Sequence, residues 1–91
     1  MRVTFVVNEL RPRDDALADR VESEVREAAA DVASEEAVLR CRVQPHGTPL
    51  AGFAVHLEGP HWYGSFEVSS PAVPGEVRLA VRRTLRDHGV L

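Results

Sequence analysis

Four arginines near the end of the chain have the side-chain type and spacing that point most directly to chemistry. On a helix, Arg78, Arg82 and Arg86 stand at i, i+4 and i+8 along one edge, and Arg83 lies beyond Leu79. Guanidinium groups bind phosphate and carboxylate oxygens in bidentate pairs, so this row predicts contact with RNA or another anionic partner. The alternative is that the row pairs with acids of a neighbouring helix. The candidate acids are Asp19, Glu22 and Glu27.

Charge is divided unevenly along the chain. The 91 residues carry 11 basic and 14 acidic side chains, a net charge of −3, and every basic side chain is an arginine. Residues 8–37 hold ten of the acids, whereas residues 38–91 hold six arginines and four acids. A duplex-DNA-binding protein is normally basic overall, so generic DNA binding is not favoured. Arg20 and Arg26, which lie in the acidic residues 8–37, are also predicted to bind RNA. For Arg26 the alternative is an ion pair with Glu22, four residues earlier on the same helix.

The histidines are candidate metal ligands of low specificity. His56 and His61, together with Glu58 or Glu67, have suitable ligand types but no recognised spacing. Histidines exposed on a strand are the simpler interpretation, and we predict no metal site.

No residue pattern favours catalysis. Cys41 alternates with Arg40 and Arg42, which predicts that its thiol points into the core and is inert. Nucleophilic catalysis would need an accessible thiol or hydroxyl beside a positioned histidine, and the dispersed glycines form no phosphate loop. Only Tyr63 is predicted to face outward among the aromatic residues of the sheet, so a base-stacking platform is not expected. We therefore predict a protein that is not an enzyme and has no cofactor.

The location expected for the protein is the cytoplasm. A single cysteine cannot form an internal disulfide, which is typical of a reducing compartment. The apolar run at residues 3–7 is too short for a secretory signal, and no apolar stretch approaches the roughly 20 residues needed to cross a bilayer.

Four strands and two helices are predicted to position these residues. Period-2 alternation predicts strands at residues 1–8 and 38–45, and a hairpin over residues 50–69 in which Leu57 lies opposite Trp62. Spacings of three and four predict a first helix that Asp14 or Asp15 caps, and a last helix over residues 77–88 that ends at Gly89. The first strand is predicted to bury Val3, Phe5 and Val7. The full predicted core is Phe5, Leu17, Val21, Val25, Leu39, Cys41, Phe53, Val55, Trp62, Phe66, Val77, Val81 and Leu85.

This order predicts one domain over residues 1–91 with an α+β fold. The expected architecture is a two-layer sandwich, with a mostly antiparallel four-stranded sheet that carries both helices on one face, in the order β-α-β-β-β-α. The other sheet face would be open, and a core this thin makes a homodimer through that face a reasonable expectation. The candidate partner residues on the open face are Arg40, Arg42, His56 and Tyr63, with His56 opposite Tyr63.

The element order and two segments resemble the ribosome hibernation-promoting factor and ribosome-associated inhibitor family. The segments are DDALADRVESEV and LAGFAVHLEGPHWYGSFEVSS, and the likeness covers nearly the whole chain. Asp15-Ala16-Leu17 echoes the family's first helix, Gly59 matches a glycine near its hairpin tip, and the four arginines of the last helix match its basic residues. The resemblance implies a non-enzymatic factor that binds ribosomal RNA phosphates in the decoding channel of the small subunit and blocks mRNA and tRNA.

Two other interpretations remain open. A double-stranded-RNA-binding domain shares the helix, three strands, helix order of residues 13–90, but the first strand would be superfluous. An acidic protein-interaction or dimerisation module would use the open sheet face and bind no nucleic acid.

Overall fold

A computed structural model describes residues 1–32, 37–47 and 50–91. The order of the elements is the predicted β-α-β-β-β-α, and the fold is α+β. Glu35 and Glu36, two of the ten acids in residues 8–37, lie outside the described residues. The elements are β1 (Arg2–Asn8), α1 (Asp15–Ala29), β2 (Val38–His46), β3 (Gly52–Glu58), β4 (Tyr63–Ser69) and α2 (Glu76–Asp87).

The four strands form one mixed sheet in the order β1-β2-β3-β4. Strands β1 and β2 are parallel, and the other two pairs are antiparallel. A parallel pair needs a crossover connection, which α1 supplies. Neither helix of the described residues is long and apolar enough to cross a membrane.

A bulge in β1 makes one prediction for this strand wrong. Phe5 pairs with Cys41, but Val7 pairs with Arg42, because the register shifts between Phe5 and Val7. The extra residue reverses the alternation, so Val7 lies beside an outward-facing residue rather than in the core. Asn8 moves to the core side, beside Val43.

Asn8 uses its new position to join β1 to α1. Its amide donates hydrogen bonds to the carbonyl of Ala18 at 3.3 Å and to Oε2 of Glu22 at 2.9 Å. Its Oδ1 accepts a hydrogen bond from the backbone N–H of Leu10 at 3.2 Å, which turns the chain out of the strand.

The hairpin register differs from the predicted one by two residues. Leu57 pairs with Gly64, and Glu58 pairs with Tyr63, whereas Trp62 belongs to the turn, where its carbonyl accepts a hydrogen bond from Gly59 at 3.0 Å. His56 is therefore opposite Ser65 and not Tyr63. A shift of two residues leaves every side chain on its predicted face, because the side-chain period of a strand is two.

The last helix ends next to Gly89 as predicted, but only the first helix is capped at its start by the side chain of its own cap residue. Asp14 accepts a hydrogen bond from the N–H of Leu17 at 3.0 Å and caps α1. Gly75 precedes α2 and offers no side chain to cap it. Past the end of α2, Gly89 has φ +73°, and Val90 donates to the carbonyl of Leu85 at 2.8 Å.

One cluster of buried residues joins the sheet to both helices. Helix α1 contacts α2 and β1, and α2 contacts β4. Nine of the thirteen predicted core residues are confirmed as buried: Val21, Val25, Leu39, Cys41, Phe53, Val55, Val77, Val81 and Leu85. The other four pack against that core but are half-buried: Phe5, Leu17, Trp62 and Phe66.

Candidate nucleic-acid interface on the second helix

Three of the four arginines of α2 are exposed. Val77, Val81 and Leu85 face the core at spacings of four, which places Arg78, Arg83 and Arg86 outside. Within the described residues, none of these three guanidinium groups forms an ion pair. The side chain of Leu79 is 59% exposed and lies between them on the same surface.

Arg82 differs from its neighbours because it forms an ion pair with Asp31, just beyond the end of α1. Of the three acids predicted as alternative partners, Glu27 forms no ion pair within the described residues, and the other two are used elsewhere. Asp19 and Glu22 both contact Arg11, at 2.6 and 3.1 Å. The hydrogen bond that Arg11 donates to Asp19 is the main reason that the pKa of Arg11 is raised. Of the four arginines in the row, then, only Arg82 is held by an acid in the part of the chain that the structure describes.

Glu24 stabilises the start of α2 from the neighbouring helix. It is 6% exposed, and its Oε1 accepts a hydrogen bond from the backbone N–H of Arg78 at 3.1 Å. Arg78 is the third residue of α2, whose N–H has no partner within the helix. Glu24 thus supplies across the helix pair the cap that Gly75 lacks, and its charge suits the positive end of the helix dipole.

Arg20 and Arg26 lie apart from the arginines of α2. Arg20 reaches Oε2 of Glu24 at 3.6 Å and donates to the carbonyl of Ala72 at 2.9 Å, so it holds the loop before α2 against α1. Arg26 donates to the carbonyl of Val3 at 3.2 Å, and its guanidinium lies 5.2 Å from the centre of the Phe5 ring. The predicted pair of Arg26 with Glu22 is not formed. Arg20 therefore meets the start of α2 through Glu24, whereas Arg26 lies against β1.

The open sheet face carries the four residues predicted there. Arg40 lies 3.8 Å from Glu58 across the β2–β3 pair, and Arg42 pairs in register with His56. Although His56 and Tyr63 are not opposite each other, Nδ1 of His56 lies 2.6 Å from the Tyr63 hydroxyl in a diagonal contact. Both signs of charge are present, so the face is not a basic surface.

The metal-ligand and thiol candidates of the sequence have the following surroundings in the described ranges. No group of three or more His, Cys, Asp and Glu side chains there is placed to hold a metal ion. Burial raises the pKa of the Cys41 thiol to about 12, so the thiolate nucleophile is not available at neutral pH.

Sequence reasoning missed the roles of Glu24 and Asn8. A signal for Glu24 was present, since it follows Arg20 by four residues and lies next to the buried Val25. No signal in β1 indicated that Asn8 would face α1, because the bulge that turns it inward lies within a uniform apolar run. No family model, curated protein or solved structure matches the chain.

Proposed function

We propose that the protein is a non-enzymatic factor that binds the phosphate backbone of folded RNA through Arg78, Arg83 and Arg86. The small ribosomal subunit is the proposed target, on the basis of the family that the sequence resembles. The observation that carries the proposal is the set of three exposed guanidinium groups on one rigid helix, without an acidic partner among the described residues.

The helix spaces these groups suitably for a backbone contact. Arg78 and Arg86 are eight residues apart, a rise of about 12 Å along the helix axis. Folded RNA is recognised largely by its shape and phosphates, so a rigid row of cations is sufficient and no base-stacking aromatic residue is required. Leu79, between the arginines, adds an apolar contact at the centre of the row.

The net charge of −3 does not prevent such a local contact. At physiological ionic strength the Debye length is about 8 Å, so exposed acids on the far side of the molecule have little effect at α2. Two described acids contact the row: Asp31 is paired with Arg82, and Glu24 accepts a hydrogen bond from the backbone N–H of Arg78.

The proposal is tested with a variant in which Arg78, Arg83 and Arg86 are all replaced by Gln. We expect it to fold normally, because exposed charges contribute little to stability, and to bind small ribosomal subunits more weakly. The unmodified protein should lose affinity steeply as salt rises, and the logarithmic salt slope should become shallower in the variant by about two to three units. Co-sedimentation with purified small subunits at several salt concentrations measures both quantities.

A matched control removes the same charge from another surface. In it, Arg2, Arg40 and Arg42 of the sheet are replaced by Gln, and we expect binding and salt slope close to those of the unmodified protein. Equal loss of binding in both triple variants would mean that only net charge matters. An absence of binding by the unmodified protein at low salt would refute the proposal directly.

A further inference from the structure

The sheet has two edge strands, β1 and β4, and they are protected very differently. At an edge, unpaired backbone N–H and C=O groups can pair with another chain, so proteins usually obstruct such edges with charges, proline or bulges. The difference between β1 and β4 indicates which edge is available.

Strand β1 is obstructed in two ways. The Arg26 guanidinium donates to the carbonyl of Val3 and covers the ring of Phe5, so a basic side chain lies along the outer side of the strand. The bulge between Phe5 and Val7 also breaks the regular alternation that an added strand would need.

Strand β4 directs the backbone groups of alternate residues outward. The backbone N–H of Ser70 donates to the carbonyl of Ala51, and the backbone N–H of Gly59 donates to the carbonyl of Trp62. These two bonds identify the hydrogen-bonded residue pairs at both ends of the β3–β4 ladder. In an antiparallel ladder these pairs alternate, so the even-numbered residues of β4 bond to β3. The N–H and C=O groups of the odd-numbered residues therefore point to the free edge: Tyr63, Ser65, Glu67 and Ser69.

Strand β4 has neither a proline nor a bulge, and Glu67 is its single charged residue. Its sequence, YGSFEVS, has no proline, lysine or arginine, and its pairing with β3 is regular over all seven residues. The four odd-numbered side chains are exposed. Within the described residues, no hydrogen bond outside the ladders uses the backbone of Tyr63, Ser65 or Glu67.

We propose that the β4 edges of two copies of this chain pair in antiparallel fashion about a two-fold axis at Phe66, which joins their sheets into one of eight strands. This register overlaps the whole of β4 and satisfies the outward groups of all four odd-numbered residues. It pairs Ser65 with Glu67 and Tyr63 with Ser69, so no carboxylate meets its own copy. On the helix side, the half-buried Phe66 rings of the two copies become neighbours, a favourable aromatic contact.

The proposed dimer contact is formed by the backbone of β4 and the proposed RNA contact by side chains of α2, so each can be tested without the other. Arg78 and Arg82 lie on the flank of α2 that meets Glu24 and Asp31 of α1. Thr84, by contrast, lies on the flank above β4, since a Cβ added to Gly64 would come within 2.7 Å of it. Because a single strand from each copy is a small contact, we expect dissociation in the micromolar range or weaker.

The test replaces Ser65 by proline, with Ser65→Ala as the matched control. The Ser65 N–H points to the free edge, so proline removes an intermolecular donor without removing a bond to β3. Sedimentation equilibrium from micromolar to millimolar concentration should show the unmodified protein and Ser65→Ala rising from 10.0 kDa towards twice that mass. In Ser65→Pro, association should weaken by at least about 30-fold, from the loss of one hydrogen bond per copy.

A second measurement does not depend on the proline variant folding. Amide hydrogen exchange of the unmodified protein at high concentration should newly protect Ser65 and Glu67, while Gly64 and Phe66 are already protected at low concentration. A protein that stays monomeric at millimolar concentration would overturn the proposal. So would a dimer that Ser65→Pro leaves intact, or one in which the added protection does not alternate along β4, as expected if the copies associate through their open faces.

Discussion

Replacement of Glu24 by alanine is expected to lower the free energy of unfolding by about 2–3 kcal/mol, the range for a lost hydrogen bond to a charged group together with a helix-dipole contribution. The substitution leaves the N–H of Arg78 without its partner in the first turn of α2, where Gly75 provides no side-chain cap. It also removes the carboxylate next to the Arg20 guanidinium, at 3.6 Å.

Two further variants separate the hydrogen bond from the charge and from helix propensity. Glu24→Gln keeps a carbonyl oxygen that can accept from Arg78, so it should cost clearly less than alanine, about 1 kcal/mol. Glu27→Ala makes the same change on an exposed position of α1, and it should stay within about 0.5 kcal/mol of the unmodified protein.

Thermal and urea unfolding followed by circular dichroism measure these differences. For a chain of this size, Glu24→Ala should lower the Tm by roughly 10–20 °C. If Glu24→Gln destabilises as much as Glu24→Ala, the hydrogen bond to Arg78 is not the source of the stabilisation. If Glu27→Ala costs as much as Glu24→Ala, the capping argument fails altogether.

Two other predictions concern the sheet. Gly52→Ala should lower the free energy of unfolding by about 3 kcal/mol or more, because φ at Gly52 is +149° and the added Cβ would overlap the backbone of Val68. Gly89→Ala, after α2, is the comparison: φ is +73° but the space is open, so the cost should be only about 1 kcal/mol. Urea unfolding measures both. Alkylation of Cys41 by iodoacetamide at pH 8 should be about 1000-fold slower in the folded than in the unfolded protein, because burial raises the thiol pKa from 9.0 to about 12. Folded and unfolded rates within tenfold of each other would show that the thiol is not buried. The folded state holds this proton more tightly than the unfolded state does. Titration of Cys41 should therefore leave the free energy of unfolding unchanged below about pH 9 and lower it as the pH rises from about 9 to 12.

The element order could be predicted because each element has a clear period in the sequence. Leu39, Cys41 and Val43 alternate with polar residues in β2, and all three are buried. Val77, Val81 and Leu85 recur every four residues and are buried on α2. Burial of one face is what these periods encode, so the faces of β2, the hairpin strands and α2 were predicted correctly even though the hairpin pairing was not.

The pairing details depend on packing that no local pattern reveals. In the hairpin, Trp62 folds back over Gly59, where a Cβ would overlap the indole, and its ring lies 4.8 Å from that of His88 at the end of α2. Trp62 makes this long-range contact from the turn, outside the β3–β4 ladder. In β1, Val6 and Val7 are chemically identical, so nothing local marks the position of the bulge.

The partners of the charged residues in α1 and α2 could be assigned only from the folded structure. The sequence shows many acids in α1 and four arginines in α2, and this arrangement alone suits mutual pairing as well as RNA contact. In the fold the acids have separate tasks: Asp14 caps α1, Glu24 caps α2, Asp19 and Glu22 hold Arg11, and Asp31 holds Arg82. These contacts leave Arg78, Arg83 and Arg86 without an ion pair within the described residues. The proposed interface therefore rests on which arginines remain exposed, and not on the overall charge of the chain.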